Sequence, residues 1–156
     1  VHDVGKIGVD DAILRKPGRL TDKEFSDIKN HTVIGSQILS RISSMPELQY
    51  GALYHHERWD GKGYPRGLKG EEIPEAARII AVADAYDAMT SNRSYRKALT
   101  QDCVHDEIVN GIGRQFWPPA ARAMLKMMDQ DIHYDMRQKN DESSQNDEQK
   151  YEYGIS

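Results

Sequence analysis

Cysteine is almost missing: Cys103 stands alone in 156 residues. The chain therefore forms no internal disulfide and no thiolate-based zinc cluster, and it suits a reducing compartment, the cytoplasm. No run of about 18 apolar residues occurs, so no segment is built to span a membrane. Basic excess is also lacking, since 21 Lys and Arg face 25 Asp and Glu for a formal charge of −4. Residues 137–156 carry −2 of that, three basic against five acidic. The rest, near −2, offers no cationic surface for duplex DNA. Apolar content is low at 38%, and part of the shortfall sits at the end of the chain. There Gln, Asn, Ser, Asp, Glu and Lys dominate without apolar periodicity. One domain over residues 1–130 is expected, followed by a polar, disordered tail over 131–156. The chain opens on Val1, and its first motif starts at His2. It is expected to be a piece of a longer parent, truncated on its N-terminal side, and that parent could be membrane-anchored.

What is present reads as helix. Gly5 and Gly8 end any helix arriving from upstream, and residues 9–20, with Pro17-Gly18, read as a loop packing Ile13 and Leu14 inward. Thr21 followed by Glu24 is a capping box. From there one long helix is expected, with an inward stripe of Phe25, Ile28, Ile34 (or Val33), Ile38 and Ile42. Gly35 costs it about 1 kcal/mol of propensity. Pro46 starts another helix that runs to His55-His56. A Gly-rich loop from Arg58 to Ile73 follows. Pro74 then opens an alanine-rich segment, apolar nearly all round, that belongs in the middle of a bundle. Weaker helices are expected near 100–111 and 118–129. No strand pattern, repeat or heptad run is evident, so the fold class is an all-α bundle.

Within that bundle the chemistry-bearing residues are nitrogen and oxygen donors. His2-Asp3, His31, the adjacent His55-His56 and Asp84 lie on separate segments. Neighbouring helical histidines point about 100° apart, so two metals suit that pair better than one. Imidazole and carboxylate without thiolate favour first-row ions such as Fe, Mn or Zn. A paired site has a defined use: a bridging hydroxide attacks phosphorus while both metals hold the phosphoryl oxygens. Asp84, in an apolar helix, needs a partner or must lose its charge. Lys6 could neutralise a phosphate or protonate a leaving alkoxide. Asp87 is expected to be structural, as a hydrogen-bond partner to a ligand histidine. Glu57 and Asp60 are expected to fix the loop or orient ligands, Trp59 and Trp117 to pack, and His105 and His133 to be solvated.

His2-Asp3-Val4-Gly5-Lys6 resembles the HD signature of metal-dependent phosphohydrolases. His55-His56-Glu57 through Gly63-Tyr64-Pro65 resembles the motif of the HD-GYP family, as do the run from Ala81 to Ser91 and the segment Arg93 to Arg96. The resemblance covers roughly residues 1–128. It implies an HD-type helical bundle with additional C-terminal helices, and a bacterial cyclic di-GMP phosphodiesterase yielding pGpG and then GMP. It places metal ligands on His2, Asp3, His31, His55, His56 and Asp84, for two or three divalent ions, iron or manganese first. Catalysis falls to Lys6 and Asp3; Lys6, Tyr64, Arg93 and Arg96 are the implied substrate contacts. Implied partners are cyclic di-GMP, a diguanylate cyclase domain or protein, and an upstream sensor or receiver domain. The family usually has a further Glu and His on a helix before the HD pair, ahead of where this chain begins. It also commonly has Asp where Trp117 stands. Two other readings remain open: a non-catalytic module binding nucleotide or partner, and a phosphohydrolase of another cyclic dinucleotide.

Overall fold

The computed structural model describes residues 1–16, 18–42, 44–92 and 97–137. Among the described residues no strand forms, and the architecture is all-α. A 3-10 turn (Val4–Gly8) precedes α1 (Asp11–Leu14), α2 (Asp22–Lys29), α3 (His31–Leu39) and α4 (Pro46–Tyr54). A long loop with a short 3-10 turn (Gly70–Glu72) then leads to α5 (Glu75–Thr90), α6 (Gln101–Gly111) and α7 (Pro118–Gln130). Helix starts follow the local chemistry. The Thr21 hydroxyl accepts from the Glu24 N–H while the Glu24 carboxylate takes the Thr21 N–H, satisfying donors that the first turn leaves free. Pro46 and Pro118 occupy first-turn positions where a missing N–H costs nothing.

The long helix expected from Thr21 is divided at Asn30, whose N–H is shared between the carbonyls of Ser26 and Asp27. The division changes which side faces inward. Phe25 is 46% exposed, and Ile38 and Ile42 are each 40% exposed, so the predicted apolar stripe is not the core face. Helix α3 instead buries His31, Thr32, Gly35, Ser36 and Leu39. In the 9–20 segment a single helical turn forms, capped by Asp10; Ile13 is half-buried and Leu14 stays exposed. Helix α5 is central, packing on α4, α6 and α7, yet it leaves Ile79 half exposed.

Two kinds of interior result. The C-terminal half is apolar: Val82, Tyr86, Val104, Ile108, Phe116, Ala121 and Met128 form one cluster. Burial of a side chain the size of Ile108 or Val82 contributes about 1.5–3 kcal/mol. The N-terminal half packs through small residues around polar ones, Gly5, Gly35, Gly51 and Ala52 beside His31 and His55. The candidate site lies where these halves meet. Beyond α7, the Asp131 carboxylate accepts the N–H groups of Asp135 and Met136, and Arg137 donates to Gln101 Oε1. The remainder of the expected tail, 138–156, lies outside the described residues. No described helix is long and apolar enough to cross a membrane.

Candidate metal centre

The two fully buried histidines, His31 and His55, are each held through the ring nitrogen they do not present. His31 opens α3, and its Nδ1 lies 2.5 Å from the Ile28 carbonyl oxygen. His55 follows the last residue of α4 and places Nδ1 2.9 Å from Ala52 O and 3.2 Å from Gly51 O. A carbonyl only accepts, so the proton of each neutral ring sits on Nδ1 and Nε2 carries a lone pair. Those two Nε2 atoms face each other at 3.4 Å.

Oxygen donors close on the same point. Asp3 Oδ1 lies 3.5 Å from His31 Nε2 and 3.8 Å from His55 Nε2. Asp3 Oδ2 is 3.6 Å from His2 Nε2, which is itself 3.4 Å from Asp84 Oδ1. His2 Nε2 is buried and makes no hydrogen bond. Two triads have donor atoms within 4.8 Å of one another: His31, His55 and His56, and His2, Asp3 and His55. The adjacent histidines are therefore closer than helical geometry suggested. Their ring centroids are 4.1 Å apart at 42°, so one ion could reach both. The donor set fits a first-row divalent cation: facing lone pairs repel unless a cation or proton lies between them.

Electrostatics follow from this crowding. Burial first, then the other imidazoles, pushes His55 down to about 4 and His56 to about 3. Both rings are thus neutral and able to ligate at pH 7. The adjacent Asp84 carboxylate raises His2, against the opposing effect of burial. Burial alone would raise Asp84, but His2, then His56 and His55, hold it at about 2. Burial likewise opposes ionisation of Asp3; the Lys6 ammonium, 2.6 Å from Asp3 Oδ2, outweighs it and lowers the carboxyl.

The loop after His56 forms the lip of a cleft of about 580 Å³, whose lining includes His55, His56, Tyr64, Asp84 and Met89. Glu57 is the residue that shapes it. Buried at 3% exposure, its carboxylate accepts the N–H groups of Arg66 at 2.7 Å and Leu68 at 3.0 Å. Asp60 takes a two-point contact from Arg58 and the Lys62 N–H. A Cβ on Gly63 would stand 2.5 Å from Glu57 Cα, so only glycine permits this loop to fold back on its start. Tyr64 stacks on His56, centroids 4.8 Å apart at 29°, and precedes a cis bond to Pro65. Burial, then the charges of Asp84 and Asp3, raises the Tyr64 hydroxyl, keeping it protonated.

All six expected ligands, with Lys6 and Tyr64, are thereby brought together. Arg93 and Arg96 lie outside the described residues. Asp87 makes no hydrogen bond to the clustered histidines: it is exposed and takes the Ser91 hydroxyl at 3.5 Å. Trp59 and Trp117 pack as expected, flanking the Arg78 guanidinium at 5.5 and 5.1 Å. Sequence reasoning missed Phe25 and Lys29, which also line the cleft. Apolar periodicity points Phe25 into the core, and no motif marks Lys29.

The family model described as "HD domain" matches residues 1–116. The chain is 48% identical over 149 residues to a cyclic di-GMP phosphodiesterase of Thermotoga maritima, covering 94% of this chain and 40% of that protein. It is 46% identical to a cyclic di-GMP phosphodiesterase response regulator of Xanthomonas campestris, covering 81% of this chain and 34% of that one. A 3'3'-cGAMP-specific phosphodiesterase of Vibrio cholerae is 39% identical, over 85% of this chain and 26% of its own length. The chain thus spans 40% or less of these relatives. Among solved structures, a cyclic GMP-AMP-specific phosphodiesterase of Vibrio cholerae superposes with a TM-score of 0.54 at 16% identity, covering 83% of this chain and 33% of that one. At that identity the likeness speaks for the fold alone.

Proposed function

Because the chain belongs to the HD domain family, as an HD-GYP member, we propose that it is a metal-dependent phosphodiesterase that opens cyclic di-GMP to pGpG and cuts pGpG on to GMP. The observation that carries this reading is the pair of inward Nε2 lone pairs, His31 and His55, 3.4 Å apart beside Asp3. His2, Asp3, His31, His55, His56 and Asp84 would hold two or three divalent ions, with iron or manganese favoured by the mixed imidazole and carboxylate set. Such ions supply Lewis acidity, neutralising phosphoryl oxygens and acidifying an attacking water.

The chain's own residues do the rest. Asp3 offers both carboxylate oxygens to the cluster, one towards His31 and His55 and the other towards His2 and Lys6. Lys6 stands at the rim, the cation nearest the ligands among the described residues. There it can neutralise a non-bridging oxygen, or pass a proton to the 3'-alkoxide as the P–O3' bond breaks and the water oxygen bonds to phosphorus, the proton lost by the water restoring the ammonium. The Tyr64 ring walls the cleft, and its protonated hydroxyl can only donate to an anionic substrate or accept from a base edge. Residues 1–130 are this chain's share of the HD-GYP domain that does this. A diguanylate cyclase and an upstream sensor or receiver domain are the partners that such an activity calls for, in a cytoplasmic setting.

Relatives divide between cyclic di-GMP and 3'3'-cGAMP by name. Cyclic di-GMP is favoured because a relative named for it matches more of this chain at higher identity, 48% over 94% against 39% over 85%. A binding-only module is disfavoured by a donor set with every visible member in place. The test is turnover of cyclic di-GMP, 3'3'-cGAMP and cyclic di-AMP by the metal-loaded protein, with metal content measured alongside. Replacing His2 and Asp3 together by Ala should abolish both. Turnover surviving that replacement would overturn the reading.

A further inference from the structure

We propose that Lys29 is a substrate-positioning residue that anchors the phosphate not under attack. This rests on the phosphodiesterase reading above. Lys29 lines the same cleft as His55, His56 and Asp84. Its Nζ lies over the Phe25 ring, 4.7 Å from the centroid, and 5.9 Å from the Tyr64 centroid. Phe25 and Tyr64 meet edge-on at 6.2 Å and 78°, and Tyr64 in turn stacks on His56. A ladder of rings thus runs outward from a ligand histidine and ends under an ammonium group.

Two other described cations near the cluster are ion-paired. Lys6 is paired with Asp3 and Arg58 with Asp60. Among the described residues Lys29 makes no ion pair, and its charge is held against two ring faces instead of a carboxylate. A cation held over ring faces is partly immobilised without being neutralised. Lys62 also lines the cleft, but it is exposed and no ring holds it. Lys29 closes α2 two residues before His31 opens α3, so the same backbone places the ligand nitrogen and the ammonium.

A cyclic dinucleotide brings two phosphodiesters. One must sit at the ligands to be hydrolysed. The other, across the ring, keeps its full negative charge through the reaction and needs a cation at a fixed offset from the cluster. A lysine serves this as a point charge without requiring a bidentate fit. Because that phosphate is equally charged in ground and transition states, contact with it strengthens both alike and appears in KM, not in kcat.

The experiment compares Lys29→Gln and Lys29→Arg with the unmodified metal-loaded protein. Lys29→Gln should raise KM for cyclic di-GMP about tenfold while kcat moves less than about threefold, and Lys29→Arg should recover most of the loss. Bis(p-nitrophenyl) phosphate has one phosphodiester and no second anchor point. Its kcat/KM should fall at least about fivefold less in Lys29→Gln than that of cyclic di-GMP. An unmoved KM, equal losses on both substrates, or loss of bound metal in Lys29→Gln each overturns the assignment. An unmodified protein that turns over no cyclic dinucleotide overturns the phosphodiesterase reading, and this one with it. Normal turnover with an unmoved KM overturns the Lys29 assignment alone.

Discussion

Gly5 crosses Gly35 at backbone contact. A Cβ added to Gly5 would stand 2.9 Å from Gly35 Cα and overlap the His31 carbonyl oxygen. That crossing brings the turn carrying His2 and Asp3 down onto the helix carrying His31, so the two halves of the donor set meet through a pair of absent side chains. The pair is not symmetric. A Cβ on Gly35 would meet Gly5 N at 3.3 Å, with Gly5 Cα and the Ala52 Cβ at 3.6 Å, a small displacement set against about 1 kcal/mol of gained helix propensity. Gly5→Ala should therefore destabilise the protein by about 1–3 kcal/mol or more and lower its metal content. Gly35→Ala should stay within about 1 kcal/mol. Urea unfolding and elemental analysis of both variants check this; equal effects would show that the crossing is looser than described.

Glu57 serves the site without touching the cluster. Its buried carboxylate carries the N–H groups of Arg66 and Leu68, and hydrogen bonds to a charged acceptor contribute about 1.5–3 kcal/mol each. Glu57→Gln must turn an NH2 towards at least one of those donors if it keeps both positions. It should cost about 1–3 kcal/mol and loosen the lip that carries Tyr64, raising KM for the dinucleotide with metal content retained. Lost metal would instead make Glu57 part of the centre itself.

Much of this site was legible because its residues are chemically loud. The donor types at His2-Asp3, His55-His56 and Asp84 point to a first-row ion, the HD-GYP resemblance joins them into one set, and the Glu57 loop can be read from its glycines. The division at Asn30 was not legible, because Thr21 to Ile42 has no breaker and Gly35 is only a mild one. With the helix taken as continuous, periodicity assigned the inward face to isoleucines. Tertiary packing keeps His31 inward, on the side where its spacing from Ile28 and Gly35 puts it, but gives the rest of that face to Thr32, Ser36 and Leu39. In the sequence Gly5 reads only as a stop signal. Close approach between two glycines far apart in the chain leaves no local trace, and Lys29 gains its meaning only once Phe25 and Tyr64 stand beside it.

Trp117 occupies the N-cap position of α7 and makes no capping bond. Its ring, with that of Trp59, instead flanks Arg78, whose Nε donates to Ile73 O and whose Nη2 donates to Glu71 O. One guanidinium therefore ties the end of the cleft loop to α5 and to the start of α7. Trp117→Ala should lose ring burial and the cation contact, about 2–4 kcal/mol together. Trp117→Asp should recover about 1 kcal/mol of that by accepting the free N–H groups of the first turn. Thermal melts of the two variants decide it: if Asp is no better than Ala, the cap position contributes nothing here.

Metal-free protein should lose stability on the acid side, through the histidines and before the carboxylates. His55 and His56 titrate at about 4 and about 3 when folded, against 6.5 for an ordinary histidine. Between those values the unfolded chain binds more protons than the folded one, so stability rises with pH. Their contribution is complete above pH 6.5, declines as pH falls, and is exhausted near pH 3–4. His2 acts in the opposite sense: its raised value favours the folded state in acid, against two neighbours that disfavour it. Asp84, held at about 2, adds a loss only below the ordinary carboxyl range. Chelator-treated protein should therefore show a melting temperature that falls steadily from pH 7.5 to pH 4.5. His56→Ala should flatten that slope, because the most depressed of these titrations is gone. Bound divalent ion should raise the melting temperature most at the alkaline end, where protons no longer compete for the ring nitrogens. A metal-free melting temperature that held level or rose towards pH 4.5 would mean that His55 and His56 are not buried as neutral rings, and the lone pairs assigned to the ions would not be there to bind them.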